Sequence, residues 1–301
     1  MTDSTELWTK DDTGPVIRPD EPRWPKIIRW IAVIVIIGPL IWGLLGLEIS
    51  ADNLRRAPGQ MWNLVQQVWP PDFSETGRTF EKILESLYVA WIATIIGATL
   101  SFPLGFLAAT NIAPRSVTLP VRSLLSGIRA FPELVLAIML IPAFGLGPFP
   151  GALAIGIHSI GTLGKLTSEV IEGVDEGPIE AIRASGGTRM QAMQFGVVPQ
   201  AMPNVLAYWL YRFEINIRAS AVLGVIGAGG IGDEIYSRFL FVPDRSKGFA
   251  ALLVMIATVL VIDAISASVR RRIITGQPSR SMMARLMQRL FAKKQPVETS
   301  S

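Results

Sequence analysis

The sequence predicts an all-α integral membrane protein with six transmembrane helices, and three observations carry that expectation. Half of its 301 residues are hydrophobic, 17% are charged and the mean hydropathy is +0.41, whereas soluble domains carry roughly 25% charged residues. Several apolar runs reach the ~20 residues that a helix needs to cross ~30 Å of hydrocarbon. The polar connections between them place most of their lysines and arginines on one side.

Residues 1–26 are rich in Asp, Glu and Pro and lack the basic start of a signal peptide, so they read as a disordered cytoplasmic arm. Residues 27–47, IIRWIAVIVIIGPLIWGLLGL, make the cleanest span. An extracytoplasmic loop follows over 48–85, where Met61, Leu64, Val65, Val68 and Trp69 recur at helical spacing. That pattern fits an amphipathic helix in the headgroup region, or a packed loop helix. A five-helix core then covers 86–272, with spans near 86–110, 119–147, 149–170, 203–226 and 249–269 and a cytoplasmic loop over 172–200. Arg270, Arg271 and Arg272 read as anchors at the inner surface, and 273–301 as a basic cytoplasmic tail. With an even number of spans, the positive charges put both termini in the cytoplasm.

Composition also excludes chemistry. The chain has no cysteine and a single histidine, His158, which removes disulfides, thiolate metal sites and multi-histidine zinc sites together. Its only Gly-Lys pair, Gly164-Lys165, precedes Leu166, so no phosphate-binding P-loop is present. Eight basic residues lie after position 269, a distribution that suits a membrane surface better than nucleic acid.

Gly227 to Gly232 spell GAGGIG, which matches the dinucleotide fingerprint G-x-G-x-x-G. That reading requires a strand before the glycines, whereas an apolar span precedes them here. The alternative is that Gly227, Gly229, Gly230 and Gly232 let a helix end, bend and approach a neighbour closely, as the outer gate of a pathway requires.

In the cytoplasmic loop, Pro178 suits a first helical turn with Asp175, Glu176 and Glu180 near its positive end. Gly186 and Gly187 should break that helix, and a second short helix over about 188–195 should stop at Pro199. Here the chain resembles the permease subunits of binding-protein-dependent ABC importers. Their loop reads E-A-A, three residues, G, nine residues, I-x-L-P. Glu180, Ala181 and Ile182 stand at E-A-A, Gly186 at the glycine, Gly196 at the isoleucine, Val198 at the leucine and Pro199 at the proline. Ile182 and Gly196 depart from the pattern, while its spacing is kept. RAFPELVLAI from Arg129, HSIGTLGKLTSEVIE from His158 and YRFEINIRASAVLGVIGAGGIG from Tyr211 are similar to the phosphonate-importer subgroup.

The resemblance implies a type I ABC importer permease (MetI-like) fold in a prokaryotic plasma membrane. Its coupling helix would be formed by Glu180, Ala181, Ile182, Ala184, Ser185, Gly186, Gly187 and Arg189. It further implies a homodimer with two ATPase subunits at the cytoplasmic face and one binding protein at the outer face. The chain itself would bind no cofactor, with ATP and Mg on the ATPase, and would catalyse nothing.

Ionisable groups within spans mark a pathway or a paired site. Arg212, Glu214 and Arg218 fall in the fifth span, Asp263 in the sixth, and His158 and Ser159 in the fourth. Spacing of four predicts the pairs Glu214–Arg218 and Arg129–Glu133, and matching depth predicts that Arg212 meets Asp263. The cluster reads either as salt bridges that hold the bundle together or as a path on which an arginine assists an anion. A secondary transporter driven by an ion gradient, with Glu214 and Asp263 carrying protons, is the competing function. A membrane-embedded enzyme lacks a visible constellation of nucleophile and base.

Overall fold

The computed structural model describes residues 24–47, 50–241 and 244–275; most of the N-terminal arm and of the basic tail lies outside them. Among the described residues every regular element is a helix. The chain divides after Leu64 into two compact units. The first contains α1 (Trp24–Gly46) and most of α2 (Ala51–Val68). Along α1 the large apolar residues such as Ile34, Ile36 and Leu45 are exposed, the surface of a helix meant for lipid. Helix α2 begins ten residues before Met61 and carries an Arg56–Asp52 pair at 2.8 Å.

The second unit is built around α6 (Pro148–Glu172), which lies against α3 (Thr76–Ala108), α4 (Arg115–Ala130), α5 (Glu133–Phe144) and α9 (Val198–Leu223). In lipid no hydrophobic force draws helices together, so close backbone approach between small residues does that work. A Cβ on Gly97 would stand 2.5 Å from Ser159 Cβ, and one on Gly105 2.5 Å from Thr167 Cγ2, so α3 and α6 meet where side chains are smallest. Gly161 and Gly164 admit Leu125 of α4 in the same manner. Apolar clusters fill the remaining space, for example Val89, Ile155, Ala219 and Leu223 at one end and Ile171, Val197 and Val205 at the other.

Two described helices, α3 and α11 (Arg245–Thr275), are long and apolar enough to cross a membrane, and up to four spans result if each of two bent pairs is one. The first bend corrects the reading of the third span, 119–147, as a single helix, and the second falls just beyond the fifth span, at the glycines expected to end or bend it. Helices α4 and α5 meet at 85°, because Phe131 before Pro132 is extended (φ −81°, ψ 123°), as a residue preceding proline prefers to be. That break separates Arg129 and Glu133 onto different helices, so their expected pairing on one face does not form. The fifth span passes through a wide π-turn over Gly224–Ala228 and restarts as α10 (Gly230–Leu240) at 57°. Helix α6 is not among the apolar spans, since its glycines, serines and threonines pack against helices rather than lipid.

Pro199 does not stop the loop helix. α7 (Gly177–Ala184) and α8 (Arg189–Gln191) are followed by a π-helical stretch over Ala192–Val197 that runs into α9, with Pro199 in the first turn of α9. The missing N–H of Pro199 falls at the junction of the two, where the wider π-turn already departs from the regular α-helical hydrogen-bond ladder.

Candidate functional site

Three regions hold the residues singled out by the sequence. The first is a polar layer inside the bundle. Arg212 of α9 is buried, and its Nε donates to Ser159 Oγ at 2.9 Å. Its Nη2 lies 2.8 Å from His158 Nδ1 and 3.5 Å from Glu133 Oε2. A guanidinium only donates, so Nδ1 accepts and His158 is neutral in this contact, its proton on Nε2. Ser159 Oγ donates its one proton to the Ile155 carbonyl at 2.6 Å and lies 3.3 Å from Asn216 Oδ1, and Asn216 Nδ2 donates to Thr94 Oγ1 at 2.9 Å. The layer therefore links α3, α5, α6 and α9 at one level.

The partners differ from those that depth alone predicts. Arg212 meets Glu133, whereas Asp263 lies 3.9 Å from Arg218. Glu214 turns to Arg270 of α11, whose guanidinium carbon also stands 5.6 Å from the centre of the Tyr211 ring. Arg218 Nε donates to the Glu214 carbonyl at 3.3 Å rather than to its carboxylate. The reason is azimuth: at ~100° per residue, two and six residues separate Glu214 and Arg218 from Arg212 by ~200° and ~240°. Arg212 consequently faces α5 and α6, while the other two face α11. Arg270 is thus a partner within the bundle rather than only a surface anchor. Glu133 and Asn216 complete the layer; sequence spacing pairs Glu133 with Arg129 instead, and no charge marks Asn216.

The second region is the cytoplasmic loop. Gly186 adopts φ +82°, and a Cβ on Gly187 would stand 2.5 Å from Ile182 Cγ2, so these two glycines turn the chain sharply after α7. The departure at Ile182 is accommodated by Gly187, and that at Gly196 leaves room for Ile179, 3.0 Å from an added Cβ. Thr188 and Gln191 form a reciprocal capping box, with Thr188 N donating to Gln191 Oε1 at 2.7 Å and Gln191 N to Thr188 Oγ1 at 3.3 Å. Gln200 of α9 accepts from Asp175 N at 3.0 Å and donates to Gly196 O at 2.7 Å, tying the loop to the bundle. Arg189 donates to Ile112 O, and Glu180 and Arg189 line one small cleft with Asn111 and Arg183. Glu180, Ala181, Ala184, Ser185 and Gly186 are exposed. So are Met190 at 65% and Phe195 at 63%, apolar side chains on a polar loop that sequence reading passed over.

The third region is the glycine turn at the other end of α9. Gly227, Gly229 and Gly230 have φ of +91°, +71° and +74°, where a side chain is strained. Gly232 has no room for one, because its Cβ would stand 1.8 Å from Ala221 O. Ser86 of α3 closes on this turn: its Oγ accepts from Ile231 N at 3.0 Å and its carbonyl accepts from Ser220 Oγ at 3.1 Å. Helix α10 is then fixed by Arg238, which reaches Glu234 at 2.9 Å, Asp244 at 3.6 Å and Glu75. Lys247 adds a contact to Glu75 at 2.9 Å. Hydrogen bonds from Arg238 and then Lys247 hold the Glu75 carboxyl down to about 2. The residues of this network are scattered from position 75 to 247, and no motif joins them in sequence.

Residues 101–275 match the family described as the binding-protein-dependent transport system inner membrane component. The chain is 36% identical to the phosphite transport system permease protein PtxC of Stutzerimonas stutzeri over 249 residues, 82% of this chain and 90% of that one. It is 34% identical to the phosphate-import permease protein PhnE of Mycolicibacterium smegmatis, covering 84% of this chain and 48% of that protein. Among solved structures, an inward-facing form of the MetNI methionine ABC transporter aligns with a TM-score of 0.57 at 19% identity, over 75% of this chain and 99% of that one. That last likeness concerns the fold alone.

Proposed function

The chain belongs to the family of binding-protein-dependent transport system inner membrane components, and from that premise we propose that it is the permease subunit of an ATP-driven ABC importer for a phosphonate or a related phosphorus oxyanion. It is a transport subunit and not an enzyme. The observation that carries the coupling half of this reading is α7 with its flanks: a short exposed helix, braced by glycines, a capping box and Gln200, beside uncovered Met190 and Phe195. A rigid helix of this kind can convey a push from an ATPase subunit into the π-helical stretch it packs against, which runs on into α9. ATP and Mg belong to that ATPase. The working assembly in this reading is a homodimer of the chain with two ATPases and one outer-face binding protein, its loop and both termini in the cytoplasm.

For the substrate, relatives named for phosphite and phosphate import agree in chemistry with the polar layer. Arg212 supplies a charged fork, and neutral His158 an Nε2–H, two donors suited to oxyanion oxygens. Ser159 holds the guanidinium in place. Glu133 occupies Arg212 at rest, so an arriving anion replaces one carboxylate with another negative group and does not find a bare charge. Such exchange keeps binding weak, as passage demands. Arg218 is half-exposed, and its contact with the Asp263 carboxylate is a long 3.9 Å, which leaves it accessible to an anion; Glu214 is neutralised by Arg270. At the outer end, the turn at Gly227, Gly229, Gly230 and Gly232 serves as the gate, with α10 fixed by Arg238 and the glycines flexing beside it.

Reconstitution with an ATPase and a binding protein of the same system tests this. Methylphosphonate uptake is expected to require ATP hydrolysis and the binding protein. Uptake driven by a proton gradient without either partner would identify a secondary transporter instead.

A further inference from the structure

We propose that a cleft between α4 and α6, on the coupling-loop side of the polar layer, is a second binding site for a compact phosphorus oxyanion, held by Lys165, Arg122 and Ser126. This deepens the oxyanion-importer reading and rests on it for the role of the site, though not for its chemistry.

The cleft measures about 380 Å³ and is lined by Arg122, Leu125, Ser126, Lys165, Ser168, Glu169 and Glu172. That is many times the ~30 Å³ share of one water molecule in the liquid. Its position follows from helical register. Lys165 is seven residues beyond His158 on α6, two turns on the same face, or ~10 Å towards the coupling loop. Arg129 of α4 lies between the two levels, its Cγ 2.9 Å from where a Cβ on Gly161 would stand. Arg212, Arg129, Lys165 and Arg122 thus form a descending series of cations from the buried layer to the loop.

The two carboxylates in the cleft are held differently. Glu172 is fixed: it accepts from Thr110 N at 2.6 Å and Thr110 Oγ1 at 2.5 Å, and it pairs with Arg122. Arg122 also donates Nε to Ala108 O at 2.8 Å, so its guanidinium is a rigid wall. These bonds use Nε and Nη2, which leaves Nη1 to donate to a ligand. Glu169, in contrast, holds Lys165 only at 3.7 Å, with both side chains more than half exposed. An exposed pair of that kind is weak, so a more highly charged oxyanion can take the Lys165 ammonium from it. Ser126 presents its exposed hydroxyl on the α4 wall. The lining balances Arg122 and Lys165 against Glu169 and Glu172, and Arg129, beside Gly161 at the level above, adds a third positive charge nearby. Phosphonate and phosphate esters share this chemistry, so the occupant is either a free anion or the phosphate of a lipid headgroup. A weak site one step below the layer fits transit through several shallow wells.

The chain has no cysteine, so Leu124→Cys, at an exposed position of α4, can carry a trifluoromethyl label read by ¹⁹F NMR. The full chain is placed in phosphatidylcholine nanodiscs and titrated with methylphosphonate. The expected result is a saturable shift whose midpoint rises about tenfold in Lys165→Gln and returns in Lys165→Arg. If the shift appears only when phosphatidylglycerol is included, with the same dependence on Lys165, the site stands and its occupant is a lipid phosphate. No Lys165-dependent shift with either ligand overturns the proposal. ATP-driven uptake is scored separately: normal uptake without a cleft signal removes this site alone, and a cleft signal without ATP-driven uptake removes the importer reading alone.

Discussion

Replacing Arg212 by glutamine, alone and together with Glu133→Gln, distinguishes a structural ion pair from a transport site. The single change removes donation from Nε to Ser159 at 2.9 Å and the Nη2 contacts to His158 at 2.8 Å and Glu133 at 3.5 Å. A hydrogen bond to a charged group contributes ~1.5–3 kcal/mol, and breaking a buried pair from one side costs ~3–5 kcal/mol. Glu133 is 29% exposed and can regain water, so the low end applies: about 3 kcal/mol of destabilisation. The second substitution removes the orphaned carboxylate and should recover ~1–2 kcal/mol, within the range of coupling between residues in contact. Transport should not recover, because the anion has lost its charged donor. At ~1.4 kcal/mol per factor of ten, uptake should fall roughly ten- to a hundredfold in both variants. The assays are thermal melting of the purified complex and initial uptake rates in proteoliposomes, normalised to assembled protein. A double variant that melts near the wild type and transports at the wild-type rate would refute the pathway role and leave a salt bridge only.

Three further outcomes are expected. Gly232→Ala drives a Cβ to within 1.8 Å of Ala221 O and should destabilise by ~1–3 kcal/mol or more; Gly38→Ala, with nothing within 4 Å, should leave the melting temperature unchanged. Glu75 is depressed from 4.5 to about 2, so its stabilisation is complete above pH ~4.5 and is lost as pH falls through ~2. Melting of the wild type should therefore fall more steeply than that of Glu75→Gln between those values, and equal slopes would contradict the assignment. Arg218→Gln should lower uptake while the complex still assembles, and unchanged transport would remove Arg218 from the path.

The helical membrane class was legible because hydrophobic run length is a direct physical requirement of the bilayer. The loop was legible because Pro178, the glycine pair and Pro199 each impose a local conformation, although Pro199 starts a helix where a stop was expected. What escaped was angular and non-local. Depth along a helix follows from counting residues, but the side of α9 on which Arg212 emerges sets its partner, and that partner, Glu133, sits beyond an 85° bend at Pro132. Helix α6 shows the same limit from another side: its modest apolarity reflects burial among helices, which composition does not report. The network around Arg238 joins residues up to 172 positions apart, as in the Lys247–Glu75 contact, and only the folded chain brings them together.

The most direct test of coupling through α7 uses Ser185→Cys, a unique thiol in a chain without cysteine, at an exposed position where α7 ends. With a short bifunctional reagent in the assembled transporter, the account predicts a crosslink to the ATPase subunit whose yield changes when ATP is trapped. Absence of that crosslink, with the thiol instead labelled from outside intact cells by a membrane-impermeant maleimide, would contradict it.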